Sequence, residues 1–334
     1  MGNATSSSKA ARRVVLAAHP SGLPTAECFA VDTEPVPVPR DGELLLRVRE
    51  LTVEPFVRRL INPGGDVGIG DCPPATAIAE VVGSADPDHP AGTPVLAATG
   101  WREWAAVPAD TVRRLDLPVG VPDTAALTAL GTSGLTAYAA HARHLAPAAG
   151  ETVVISSATG AVGSVAGHLA REAGARTVAL VGDTAKAEAA REVLGYSAAV
   201  VRTSPQWRAE LAGACPDGID AYLHMGGAPL LDAVLDLASV GARISLCGLM
   251  DRYNGGPDTW LPASVLIGRR ITVRGMVVQD HLDLVGEHRA AVLPMLESGE
   301  LRLWHEYHQG IESLPAAFSR VMSGRNRGKA VVQM

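Results

Sequence analysis

A chain of 334 residues has room for two domains with well-buried cores, and its net charge of -6 gives no electrostatic reason to bind nucleic acid. Cys28, Cys72, Cys215 and Cys247 lack the paired spacing of a disulfide frame or a zinc knuckle, as in reduced, cytosolic proteins. No apolar run approaches the ~20 residues of a membrane span and no secretory segment is present, so a soluble, cytoplasmic protein is expected.

In chain order, Met1 to Ser6 fits an acylation pattern and Asn3-Ala4-Thr5 is formally a glycosylation sequon. The heavy use of Ala, Arg, Gly and Val resembles a GC-rich bacterial coding sequence, where neither modification is expected. Residues 1–13 therefore read as a disordered polar leader before the first strand, Val14 to Ala18. Short strand-like runs follow, among them Glu43 to Arg49 and Thr76 to Val82, separated by turn chemistry at Asp41-Gly42 and Asn62-Pro-Gly-Gly65. Pro35, Pro37 and Pro39 hold one connection extended. This texture predicts a β-rich domain.

The texture changes at Thr152-Val-Val-Ile-Ser-Ser-Ala-Thr-Gly160-Ala-Val-Gly163-Ser-Val-Ala-Gly167. A β-branched run ends in small residues and opens into a helix-forming segment, the strand–turn–helix arrangement that binds a pyrophosphate. The glycine spacing alone is weak in a chain with 35 glycines. Its neighbours strengthen it: strand-like runs recur at Arg176 to Gly182, Tyr196 to Val201, Ile219 to Leu223, Ala242 to Cys247 and Arg270 to Val278. Helical stretches such as Thr184 to Leu194 and Pro229 to Leu237 lie between them, which predicts a doubly wound parallel sheet. Beyond it, Leu301 to Tyr307 alternates like a strand, Ile311 to Met322 reads as a helix, and Lys329 to Gln333 as a final strand. The fold class is therefore α/β: a β-rich domain over 14–120 and 300–334, with a Rossmann domain over 121–299 inserted into it. The cleft between them is the expected ligand site.

Several motifs resemble the medium-chain dehydrogenase/reductase superfamily, and within it the zinc-independent leukotriene B4 dehydrogenase/prostaglandin reductase branch. That branch includes plant double-bond reductases and bacterial curcumin-reductase-like proteins. The resemblance runs from about residue 14 to the end. Gly22-Leu-Pro-Thr25, Val53-Glu-Pro-Phe-Val-Arg58 and Gly131-Thr-Ser-Gly-Leu-Thr-Ala-Tyr138 match its segments. So do Cys247-Gly-Leu-Met-Asp-Arg-Tyr-Asn254, the most specific, and Gly324-Arg-Asn-Arg-Gly-Lys329. It implies a GroES-like first domain and a homodimer joined through the strand near Arg270 to Val278. It also removes zinc, since the Gly-His-Glu motif and four-cysteine lobe of zinc-dependent members are missing. The His141/His144 and His305/His308 pairs lack a third ligand at a recognisable distance and read as surface histidines.

The resemblance also implies roles for single residues. Gly160, Ala161, Val162 and Gly163 would hold the pyrophosphate. Gly182 stands where NAD enzymes usually place an acid against the ribose diol. Lys186 matches the family's 2′-phosphate lysine, and Arg202 falls where relatives carry a tyrosine. Two cations favour NADP(H); Asp183 opposes, either hydrogen-bonding a diol or pairing with Lys186. Cys247, Gly248, Tyr253, Met276, Val277, Val278 and Asn326 would contact the cofactor, and Phe56, Tyr253 and Met276 the substrate. The implied reaction is reduction of an α,β-unsaturated carbonyl's carbon–carbon double bond, Tyr253 hydrogen-bonding the oxygen where enolate charge develops, and solvent or Tyr253 supplying the proton. Alternatives are a zinc-free NADP-dependent alcohol/ketone oxidoreductase, a non-catalytic dinucleotide-binding protein, and, for Tyr253, a purely binding role. Departures from the pattern are Phe56 for tyrosine, Thr132-Ser133 for Met-Pro, and Ser157 for alanine. The loop Leu223-His-Met-Gly-Gly227 is one residue short, and there His224 either replaces an asparagine contact or leaves it empty. These changes suggest either a specialised substrate, such as a secondary-metabolite intermediate, or impaired redox activity.

Overall fold

The computed structural model describes residues 10–334, so the acylation pattern and the sequon lie outside the described residues. Two antiparallel strands open it, β1 (Ala10–Leu16) and β2 (Phe29–Pro35). Strand character reaches back past Val14 to Ala10, because Ala11 is buried and Arg12 and Arg13 are pinned by Glu103 and Asp32. Next come β3 (Glu43–Thr52), the short helix α1 (Val57–Leu60) and β4 (Thr76–Gly83). Then follow β5 (Pro94–Ala98), β6 (Trp104–Pro108) and the two-residue β7 (Arg113–Arg114). A buried turn at 123–127 leads into α2 (Thr132–Ala139).

The second sheet alternates strand and helix: β8 (Thr152–Ser156), α3 (Ala161–Glu172), β9 (Arg176–Val181), α4 (Thr184–Glu192), β10 (Ala198–Val201) and α5 (Trp207–Ala214). It continues with β11 (Ile219–His224), α6 (Ala228–Leu237), β12 (Ala238–Leu246), α7 (Met250–Tyr253), α8 (Ala263–Arg269) and β13 (Thr272–Gly275). All pairs are parallel, in the order β10-β9-β8-β11-β12-β13, the Rossmann order. The apolar runs are continuous because both faces are covered: Val153 and Ile155 enter one core, Val154 the other. The order reverses between β8 and β11, the place where open sheets of this kind hold their ligands.

After α9 (Val285–Glu297) the chain returns to the first sheet through β14 (His305–Gln309), α10 (Leu314–Met322) and β15 (Lys329–Gln333). There β15 pairs antiparallel with β3 and parallel with β14. Phe318 of α10 packs edge-on against Phe29 and Trp101, tying the C-terminal helix to the N-terminal core.

Three further expected elements differ. The strand expected over Arg270 to Val278 is only β13, since Arg270 is a left-handed helix cap at φ 54° and a 3-10 segment begins at Val278. The alternation from Leu301 is not a strand until His305: Leu301 is buried in the parallel-sheet core, and Leu303 and Trp304 pack on it. The helix expected from Ile311 begins as a separate turn at 311–313, and Pro315 then sits in the first turn of α10, where its missing N–H costs nothing.

Candidate active site

The glycine turn is built by close packing. Gly163 lies so near the end of β8 that a Cβ there would meet the Ala158 Cα at 2.6 Å, and a Cβ on Gly167, one turn on, would meet the Tyr196 ring at 2.3 Å. Tyr196 is buried and its hydroxyl donates to the Gly163 carbonyl at 2.6 Å, holding the turn from beneath. Ser157 takes a left-handed φ of 51°, and its carbonyl accepts the Gly160 N–H at 2.9 Å. The N–H groups of Ala161, Val162 and Gly163 open α3 with no preceding turn to accept from them, which is the chemistry of an anion cradle.

Beside the cradle the structure gathers Gly182, Lys186, Arg202 and Gly324. A Cβ on Gly182 would lie 3.8 Å from the Gly324 carbonyl oxygen and 4.0 Å from Arg202 Nη2. Lys186 is buried, and its ammonium donates to the Gly324 carbonyl. Asp183 caps α4, accepting the Lys186 backbone N–H at 2.8 Å. Burial lowers the Lys186 pKa; the Asp183 charge raises it and that of Arg202 lowers it again. Among the described residues the Arg202 guanidinium has no hydrogen-bond or ion-pair partner. An anion seated between these cations relieves their repulsion, so the residues fit a 2′-phosphate-bearing dinucleotide.

The loops after β11 and β12 are stitched together. The N–H groups of Cys247 and Gly248 both donate to the His224 carbonyl, at 2.9 and 3.2 Å. The His224 ring is wholly enclosed: Nδ1 faces the Tyr222 hydroxyl at 2.9 Å and Nε2 is without a partner. Burial drives its pKa down to about 4, and that of the Cys247 thiol up to about 12, so both are neutral near pH 7. Gly227 leaves room for Asp251, whose Oδ2 would be 1.8 Å from a Cβ there.

Tyr253 ends α7, half-buried against the core of the first sheet. Its hydroxyl makes no hydrogen bond among the described residues. Two ties fix its position: Asn254 Nδ2 donates to the Met322 carbonyl at 2.9 Å, and Gly255 lies against Gly22. Arg58, buried without an ion pair among the described residues, donates to the Gly22 carbonyl at 2.7 Å. Phe56 stands half exposed before α1. Met276 is buried in the parallel-sheet core, Val277 is exposed, and Val278 lines a cavity of about 370 Å3 together with Thr132, Thr76 and Leu282. Asn326 turns inward on its own loop, donating to the Gly328 carbonyl.

Glu54 also lines this cavity, and it pairs with the nearly enclosed Lys329 at 2.5 Å, joining two motifs far apart in sequence. Sequence reasoning missed that pair, the Gly324 acceptor of Lys186, and the supporting roles of Tyr196 and Arg58. Only Tyr196 left a signal: Gly163 and Gly167 fall on one helix face, which marks a close neighbour. The histidine pairs are half-buried rather than on the surface, His144 Nδ1 lying 3.0 Å from Ser245 Oγ and His305 desolvated. Among the described residues no three His, Cys, Asp or Glu side chains converge as metal ligands.

A Rossmann sheet with a bare glycine turn, two cations beside it and a cavity lined from both domains is the arrangement of a dinucleotide-dependent oxidoreductase. A family model described as the N-terminal domain of oxidoreductase matches residues 12–115, and one described as zinc-binding dehydrogenase matches 161–297. The chain is 32% identical to the NADPH-dependent curcumin reductase of Escherichia coli, over 97% of this chain and 96% of that one. It is also 32% identical to prostaglandin reductase 1 of Rattus norvegicus, covering 97% and 99% of the two chains. The crystal structure of CurA from Vibrio vulnificus in complex with NADPH matches with a TM-score of 0.91 at 32% identity, over 97% of this chain and 99% of that one. The chain belongs to the zinc-independent prostaglandin reductase branch of the medium-chain dehydrogenases/reductases.

Proposed function

We propose that this protein is an NADP(H)-dependent reductase of the carbon–carbon double bond of an α,β-unsaturated carbonyl compound. The observation that carries the cofactor is the Lys186–Arg202 pair beside a bare Gly182. For the reaction, support comes from the Tyr253 hydroxyl, which has no partner among the described residues, on a loop tied to α10 and to Gly22, and from the names of the relatives. When bound, NADPH supplies a hydride for the β-carbon; with one proton at the α-carbon, the enone becomes the saturated carbonyl and NADP+ is left.

The chain's own residues do the rest. Tyr253 donates a hydrogen bond to the carbonyl oxygen as negative charge builds there, and Tyr253 or solvent gives the proton. Met276 and Val278 wall the nicotinamide side, and half-exposed Phe56 presents an apolar face to the substrate. Helix α3, Lys186 and Arg202 hold the phosphates, with Asn326 and the Cys247–Gly248 turn closing the site.

Reduction of an enone with 4-deuterated NADPH tests this: label is expected on the β-carbon. Label on a carbinol carbon, or cofactor binding without turnover across an enone panel, overturns it. Homodimerisation and a cytoplasmic location complete the reading. For the dimer, β13 is a sheet edge that among the described residues pairs with β12 alone, next to exposed Ile267. Light scattering of the purified chain should give twice the chain mass. No helix among the described residues is long and apolar enough to cross a membrane.

A further inference from the structure

Three segments far apart in sequence meet at Gly22. This residue sits in a left-handed turn at φ 81°, and a Cβ on it would lie 3.8 Å from the Asn254 carbonyl oxygen. Gly255, left-handed at φ 87°, lies against it in turn, its own Cβ position 3.8 Å from the Gly22 Cα. Two bare turns in contact have no side chains to lock their spacing. The loop that carries Tyr253 needs such a lock, because its N–H groups from Tyr253 to Gly256 all donate to carbonyls of residues 249–252. Those bonds keep its shape and leave its orientation open. Outside the loop, Asn254 Nδ2 reaches the Met322 carbonyl at 2.9 Å, and Asn254 Oδ1 is enclosed without a partner among the described residues.

Arg58 supplies a tie from the other side. It lies on α1, whose Val57 and Ile61 belong to the apolar core that Tyr253 packs against. The residue is 2% exposed, and burial lowers its pKa. One Nη donates to the Gly22 carbonyl at 2.7 Å and the other to Asn62 Oδ1. Its Nε is buried without a partner, and no carboxylate pairs with it, among the described residues. An unpaired charge is costly to hold in such a place, and an apolar side chain of the same length would avoid that cost. What the guanidinium offers instead is a charge-assisted donor on the Gly22 carbonyl, with a second donor on Asn62 to fix its direction.

We infer that Arg58 is a positioning residue for Tyr253: it fixes the Gly22 carbonyl, and Gly22 fixes the Asn254–Gly255 end of the loop that carries the phenol. The role given to the phenol rests on the enone-reductase reading above; the placement of the loop does not.

The test uses the purified full chain with NADPH and an enone that it reduces. Misplacing a reacting group by about 1 Å can cost about 10²-fold, so Arg58→Met should lower kcat about tenfold or more. Because the loss runs through Tyr253, Arg58→Met combined with Tyr253→Phe should be no slower than Tyr253→Phe alone, whereas independent losses multiply. Arg58→Lys keeps a donor for Gly22 and should lose less, and it carries the same comparison if Arg58→Met fails to fold. In parallel, hydrogen–deuterium exchange of the amides of 249–256 should quicken about tenfold in Arg58→Met, with that of α3 as in the wild type. An unaltered kcat, losses that multiply in the double variant, or unmoved exchange at 249–256 overturns the inference. If no enone is reduced at the double bond, the reductase reading fails, and exchange at 249–256 still decides whether Arg58 places the loop.

Discussion

A phenol that makes no hydrogen bond among the described residues, carried at the end of the short helix α7, is the donor we propose for the substrate's carbonyl oxygen. Tyr253→Phe removes that donor and leaves the ring's packing against the first-sheet core. Turnover should fall roughly tenfold or more, toward the 10²–10⁴ range of general acid catalysis, while the far-ultraviolet dichroism is unchanged. Unaltered turnover would assign protonation to solvent and leave Tyr253 a packing residue. The Lys186 and Arg202 cations argue differently, through charge. Replacing both by alanine should raise the KM for NADPH by about tenfold or more and leave that for NADH nearly unchanged, as steady-state titrations with each cofactor would read. Equal losses for both cofactors would place the pair elsewhere than at a 2′-phosphate. Asp183 illustrates the limit of sequence reasoning at this scale: its carboxylate caps α4.

At the scale of elements, the glycine turn depends on the contact between α3 and the segment before β10. Gly167 exists because Tyr196 occupies the space of its Cβ, and Tyr196 in turn fixes the Gly163 carbonyl. Gly167→Ala should therefore displace the Tyr196 ring, destabilise the fold by about 1–3 kcal/mol in urea unfolding, and weaken NADPH binding. Full stability in urea would show that α3 shifts at no cost. The edge strand makes a related point. An apolar run over 270–278 reads as one strand, but a left-handed cap at Arg270 and the 3-10 turn at Val278 confine pairing to Thr272–Gly275.

Across the whole molecule, stability against acid is set by groups that folding buries uncharged. His224 has the largest displacement of the histidines, from an ordinary 6.5 to about 4. Between those values the unfolded chain binds a proton that the folded chain refuses, so stability is fully present above pH 6.5 and is lost as pH falls toward 4. The buried ring accounts for up to about 3 kcal/mol of that loss. His224→Gln should flatten the acid limb of the urea midpoint between pH 6.5 and 4. An unchanged slope would mean that the other desolvated histidines, His141, His144, His168, His288 and His305, carry it.

Local chemistry was legible because it is written in consecutive residues. The glycine turn, the bare Gly182, the β15 strand and the alternation of strand and helix all follow from short-range spacing and backbone sterics. So do the motifs that carry the family. Tertiary structure alone decided what depends on residues distant in sequence: Lys186 on Gly324, Glu54 on Lys329, Arg58 on Gly22, and the enclosure of His224 with Tyr222. It also decided which alternating runs became strands, since Leu301 alternates for the sake of a core while Lys329 to Gln333 pairs with β3. Periodicity shows which side chains must be buried; the partner that buries each of them is fixed only when the chain closes on itself.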